Sequence, residues 1–207
     1  MQWYSLKASH SPIVFCLALF SISLTASAAE VTTGADKETG LKFWDWQAKG
    51  VQFRITQRLP DQTRAFFLAR GFDARNVDEL AVNCVFQSMF KNIGQPDSGP
   101  ISIDLTNWRV ITPRGARRVL TREYWMPKWE ARQLSQPARI AFEWSLIPTK
   151  QVYEPGDYNW GMTSYGLPPG THFDLEFSWR RNNKIETGLL RDVICPADIH
   201  PEPTEPQ

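Results

Sequence analysis

Along most of the chain apolar residues alternate with polar ones, the period of a strand with one buried face. Val51, Phe53 and Ile55 interleave with Gln52, Arg54 and Thr56. A turn at residues 59–62 and an apolar stretch at 64–69 predict a second strand and, with the first, a hairpin. Ile101, Ile103 and Leu105 alternate with Ser102, Asp104 and Thr106, and this strand runs on through Trp108 to Ile111. Pro113, Arg114 and Gly115 turn the chain and residues 119–125 return; residues 128–138 read as a loop or short helix. Ile140, Phe142, Trp144 and Leu146 share one side of a further predicted strand, as do Phe173, Leu175, Phe177 and Trp179. Asn182-Asn183 suits a tight hairpin turn before a closing strand at 185–195.

Residues 76–91 carry two periods at once. Asn76 to Glu79 begins like a helix, with a capping amide and a glutamate three positions on. Val82, Cys84, Phe86, Ser88 and Phe90 alternate like a strand. The pattern favours a short helix to about Ala81 and a strand from there through Lys91.

About eight strands punctuated by turn residues, with little helix, predict a mostly all-β domain folded as a β-sandwich. The strand rhythm resembles immunoglobulin-like or fibronectin-like modules, a likeness of architecture that carries no function with it.

The amino-terminal stretch changes where this domain is expected to work. Lys7, an apolar run at residues 13–24 and the small residues Ala26, Ser27 and Ala28 form the three parts of a secretory signal. The run is about a dozen residues, whereas a helix needs roughly 20 to cross a bilayer. Residues 1–28 are therefore expected to be a cleavable signal peptide, with no transmembrane anchor after cleavage and a periplasmic or secreted destination. Residues 29–42 read as a flexible leader, 43–198 as the sandwich and 199–207 as a disordered Pro-rich tail.

Lys7 is the one charged side chain among 23 basic and 22 acidic residues that precedes Glu30, so its loss leaves the two signs balanced. Balance argues against nucleic acid or an anionic membrane as the partner. Arg114, Arg117, Arg118 and Arg122 form a local basic cluster that reads as a solvated strand face. Cys16 lies inside the apolar run, so Cys84 and Cys195 are the pair expected in an oxidising compartment, where a structural disulfide is the simplest use of them.

Catalytic constellations are scarce. Beyond residue 28 the histidines are His172 and His200, too few for a histidine-rich metal centre. No Gly-x-Ser-x-Gly surrounds a serine, and Gly-rich phosphate loops are absent. His172 and Asp174 fall on one side of a strand, a spacing that suits a carboxylate orienting an imidazole but that also describes a surface polar pair. Met162 and His172 flank one Pro/Gly-rich region and are the weak candidates for a soft-metal site such as Cu(I); otherwise no metal or cofactor is expected.

The most singular stretch is residues 153–165, with Tyr153, Asp157, Tyr158, Trp160, Met162 and Tyr165. It reads as a long irregular connection rich in aromatic rings, which supply contact area at low entropic cost. Of the eight tryptophans past the signal, Trp108, Trp144 and Trp179 are expected in the core, and Trp44, Trp46, Trp125, Trp129 and Trp160 at its edges. The sequence thus points to a non-enzymatic accessory module that binds another exported or membrane-bound protein through residues 153–165. The alternatives are a carbohydrate or small-ligand binding module, with tryptophans stacking on sugar rings, and a copper-handling accessory protein.

Overall fold

A computed structural model describes Met1 and residues 28–199 of the chain. Two antiparallel sheets face each other. The first is built from β1 (Glu30–Ala35), β2 (Lys42–Ala48), β3 (Val51–Gln57), β4 (Val85–Asn92) and β9 (Tyr158–Ser164), in that spatial order. The second runs β7 (Gly115–Arg118), β6 (Arg109–Thr112), β10 (His172–Arg181), β5 (Ile101–Asp104), β8 (Lys150–Tyr153), and β11 (Lys184–Ile194) also pairs with β10. Strands β5 and β6 take successive stretches of β10, with Ile103 opposite Trp179 and Val110 opposite Leu175.

The alternation read from the sequence is what closes the space between the sheets. Trp44 and Trp46, Phe53 and Ile55, and Phe86 and Phe90 point inward from β2, β3 and β4. Phe173, Leu175, Phe177 and Trp179 point back at them from β10. Phe53 meets Phe177 and Trp108 edge-on or tilted, at centroid distances of 4.7 and 5.0 Å, geometries that suit the ring quadrupole. The Trp108 indole is satisfied by donating to the Ser178 carbonyl at 3.0 Å.

A second core lies on the opposite face of the first sheet. Four helices make it: α1 (Pro60–Leu68), α2 (Ala74–Ala81), α3 (Arg122–Ala131) and α4 (Gln136–Ser145). Phe67, Leu80, Trp125, Trp129 and Phe142 pack there against Val85 of β4 and Met162 of β9. Trp125 and Trp129, one helical turn apart on α3, stack with planes 10° apart and centroids 5.2 Å apart.

This core overturns several expectations. The predicted strand at 64–69 is α1: Pro60 sits at its first turn and the Gln62 side chain accepts from the Leu59 backbone N–H at 3.1 Å. The predicted strand at 140–146 is α4, and the predicted return strand at 119–125 is mostly α3. Trp144, expected in the core, is 84% exposed on α4. The helix α2 is where it was expected, although its cap is Asp73, which accepts from Asn76 N–H at 2.9 Å. Within the stretch expected to be a flexible leader (29–42), Glu30–Ala35 form edge strand β1, paired with β2 along its whole length although all six of its residues are exposed.

Cys84, just before β4, and Cys195, just after β11, are joined as expected, with S–S 1.97 Å and both side chains buried. The bond links the first sheet to the second. Among the described residues no helix is long and apolar enough to cross a membrane. Most of the expected export signal (residues 2–27) and of the expected tail (200–207) lies outside the described residues.

Candidate functional site

Helices cover only part of the outer face of the first sheet. On β4, Val85 points outward into the helical core, while Gln87 and Met89, two and four residues on, point the same way into the open. The register places Arg54 of β3 opposite Met89, and Met89 opposite Trp160 of β9. One step along, Thr56 lies opposite Gln87. These side chains floor a groove of about 900 Å³. One wall is α1, with Gln62, Ala65 and Phe66; another is the turn between β1 and β2, with Asp36, Glu38, Thr39 and Leu41.

The walls are held by local chemistry. Asp36 Oδ1 accepts from Thr39 N–H, the Thr39 hydroxyl and Glu38 N–H, which draws its pKa below the usual carboxylate value and fixes the turn. Arg54 stacks 4.0 Å from the Phe43 ring and reaches Asp45 at 3.5 Å. At the far end the Gln57 amide donates to the Ile194 carbonyl at 2.8 Å, tying the groove to the close of β11. Trp160, 63% exposed, stands at the rim, and Tyr158 two residues before it is 62% exposed on the same face.

The stretch at 153–165 is not an irregular loop. It is the corner at which the chain leaves the second sheet on β8, turns at residues 154–157 and enters the first on β9. Asp157 serves the turn by accepting from Glu154 N–H at 3.0 Å. Six residues read together from the sequence therefore divide. Asp157, Tyr158 and Trp160 are exposed, whereas Tyr153, Met162 and Tyr165 are buried. Burial pushes the Tyr153 and Tyr165 phenols well above their usual pKa. The Tyr165 hydroxyl sits 2.9 Å from that of Thr163, which in turn meets Ser88 at 2.7 Å, a small polar chain sealed in the core.

The other candidate chemistry is dispersed. His172 Nδ1 meets Asp192 Oδ1 at 2.6 Å, not Asp174, whose carboxylate accepts from Asp192 N–H. Met162 lies in the helical core, and His172 is exposed at the start of β10 in the other sheet, so they are not brought together. Among the described residues no group of three or more His, Cys, Asp or Glu side chains is placed to hold a metal.

Arg54, Arg58, Phe66, Gln87 and Met89 were not singled out as site residues in the sequence, where Met89 reads as core, because a groove needs two walls. The wall made by α1 was read as a strand. Its start, Leu59-Pro60-Asp61-Gln62, carried the missing signal: Pro at the first helical position, Asp in the first turn and Gln at the third.

No family model matches this chain, and no match is found among curated proteins or solved structures.

Proposed function

We propose that this chain is an exported, non-enzymatic binding module that engages a partner protein along the outer face of its first sheet. The observation that carries the reading is Trp160: a large ring, mostly exposed, at the rim of this groove and two residues from exposed Tyr158 on the same face. Tryptophan and tyrosine are the side chains most often found at the energetic centre of interfaces. A disulfide linking the two sheets supports an oxidising compartment, in keeping with the export signal read at residues 1–28.

The test is site-specific photocrosslinking in the native compartment. A photoreactive residue at position 160 or 87 is expected to capture the same partner band, and one at Ile185, exposed on the second sheet, is expected to capture nothing. Equal capture from all three positions would refute the proposal. A second reading is favoured by the hydrogen-bonding side chains Arg54 and Gln87 on the groove floor beside an exposed indole: a sugar ring could stack on Trp160. Quenching of Trp160 fluorescence by a glycan, lost in W160F, would favour that reading over a protein partner.

A further inference from the structure

Arg58 enters the groove from the short connection between β3 and α1, and it is less well satisfied than the other partly buried arginines. Arg109 donates to two backbone carbonyls, Arg181 donates to two carbonyls and to the Asn92 side chain, and others have carboxylates. Arg64 meets Asp61, Asp78 and Asp198, and Arg132 meets Glu79. Arg58 forms no ion pair among the described residues; one terminal nitrogen donates to the Gln62 carbonyl at 3.2 Å. Its Nε–H is buried with no acceptor among the described residues. The guanidinium lies 4.9 Å from the Phe66 ring centre, and Arg70 lies 3.4 Å from the same ring. Burial, and then the charge of Arg70, lower its pKa from the ordinary guanidinium value. A half-buried cation with no counter-charge among the described residues is less favourable in the empty protein than a paired one, and a ligand that brings an anion relieves it.

The surroundings select the anion. Arg54, the other cation of the groove, is already drawn toward Asp45. Glu38 and Asp36 line the opposite wall. A phosphate of nearly two negative charges would face those carboxylates with one uncommitted guanidinium to hold it. A carboxylate carries one charge and is planar, and so matches the guanidinium fork. Farther along the same groove, at the level of Arg54, Met89 and Trp160 offer apolar surface for the chain that bears the acid.

We propose that Arg58 receives a carboxylate, so that the partner at this groove presents an acidic peptide segment whose apolar neighbours lie against Met89 and Trp160. The inference rests on the groove being the binding face.

The test follows the arginine side-chain Nε–H resonances of ¹⁵N-labelled protein during titration with glutarate, its uncharged diamide, and inorganic phosphate. Glutarate is expected to shift the Arg58 resonance saturably, the diamide not at all, and phosphate with affinity roughly tenfold weaker. R58Q is expected to abolish glutarate binding, followed by calorimetry. R58K, which keeps the charge without the fork and guards against a folding defect in R58Q, is expected to weaken it roughly tenfold. No shift with glutarate, an equal response to the diamide, or phosphate binding as tightly would each overturn the inference. Capture from position 160 that R58Q leaves unchanged overturns it too while sparing the proposed function. A saturable glutarate shift without position-specific capture does the reverse.

Discussion

Removing the Cys84–Cys195 bond should cost this protein a large part of its stability. The bond closes a loop whose ends are 111 residues apart. Chain-entropy accounting assigns such a loop about 4.8 kcal/mol near room temperature, through the freedom it denies the unfolded chain. Domains of this size are stable by roughly 5–15 kcal/mol, so the loss is a third or more of the total. Both cysteines are buried in the core between the sheets, so alanine at both adds two small voids at about 1 kcal/mol each at most. Reduction of the wild type by dithiothreitol removes the link but leaves the sulfur atoms, and so separates the two effects. The assay is urea unfolding followed by tryptophan fluorescence, since the indoles of both cores become exposed on unfolding. With a slope of about 2 kcal/mol/M, the midpoint should fall by about 2 M. The slope itself should rise, because an unlinked unfolded chain is more expanded. If reduced protein keeps its midpoint within about 0.5 M of the oxidised form, the entropic argument is refuted and the unfolded chain must be compact without the link.

Two further outcomes follow from the helical core and its edge. F142A should destabilise by about 3–5 kcal/mol, because a fully buried ring is lost, whereas W144A two residues away should change stability by no more than about 0.5 kcal/mol. Thermal unfolding distinguishes them, and comparable costs would contradict the helical placement of residues 136–145. Acid should also weaken the protein in a defined window. Burial acts to raise the pKa of Glu123, but hydrogen bonds from Thr149, Thr121 and Arg122 outweigh it and bring the value down to about 2. A depressed carboxylate stabilises the fold above its unfolded value of 4.5, and that contribution is lost as pH falls from there toward about 2. E123Q should therefore show a smaller decline in melting temperature across that interval than wild type, and an unchanged decline would remove Glu123 from the explanation.

The strands between the facing sheets were legible because alternation has one meaning when one face is buried. Phe53 on β3 and Phe177 on β10 went where their period sent them. The helices were missed for a specific reason. The buried row through α4 and its flanks is Leu134, Ala138, Phe142 and Leu146, four residues apart. That row is also every second member of an alternating row, so apolar Ile140 and Trp144 between them made a strand equally consistent. Capping signals break the tie, and they were present: Ser135 accepts from Ala138 N–H, and Pro137 sits in the first turn. Residue 160 stood out in the sequence because of an unusual density of rings around it. Its neighbours Tyr153 and Tyr165 shared that density but not its exposure, since composition does not reveal which side of a strand a ring occupies. Arg58 had no sequence signal at all, because the sequence does not show which carboxylates the fold brings near an arginine and which it keeps away.

Strand β4 sends alternate side chains into the facing-sheet core and out toward the helices, so the wall beneath the groove is braced from behind. A guest that settles there meets a surface whose shape is already set, and little of its attraction is consumed in ordering the host. What gives way on docking is then the guest, or the long side chains standing on the wall, while the masonry stays still.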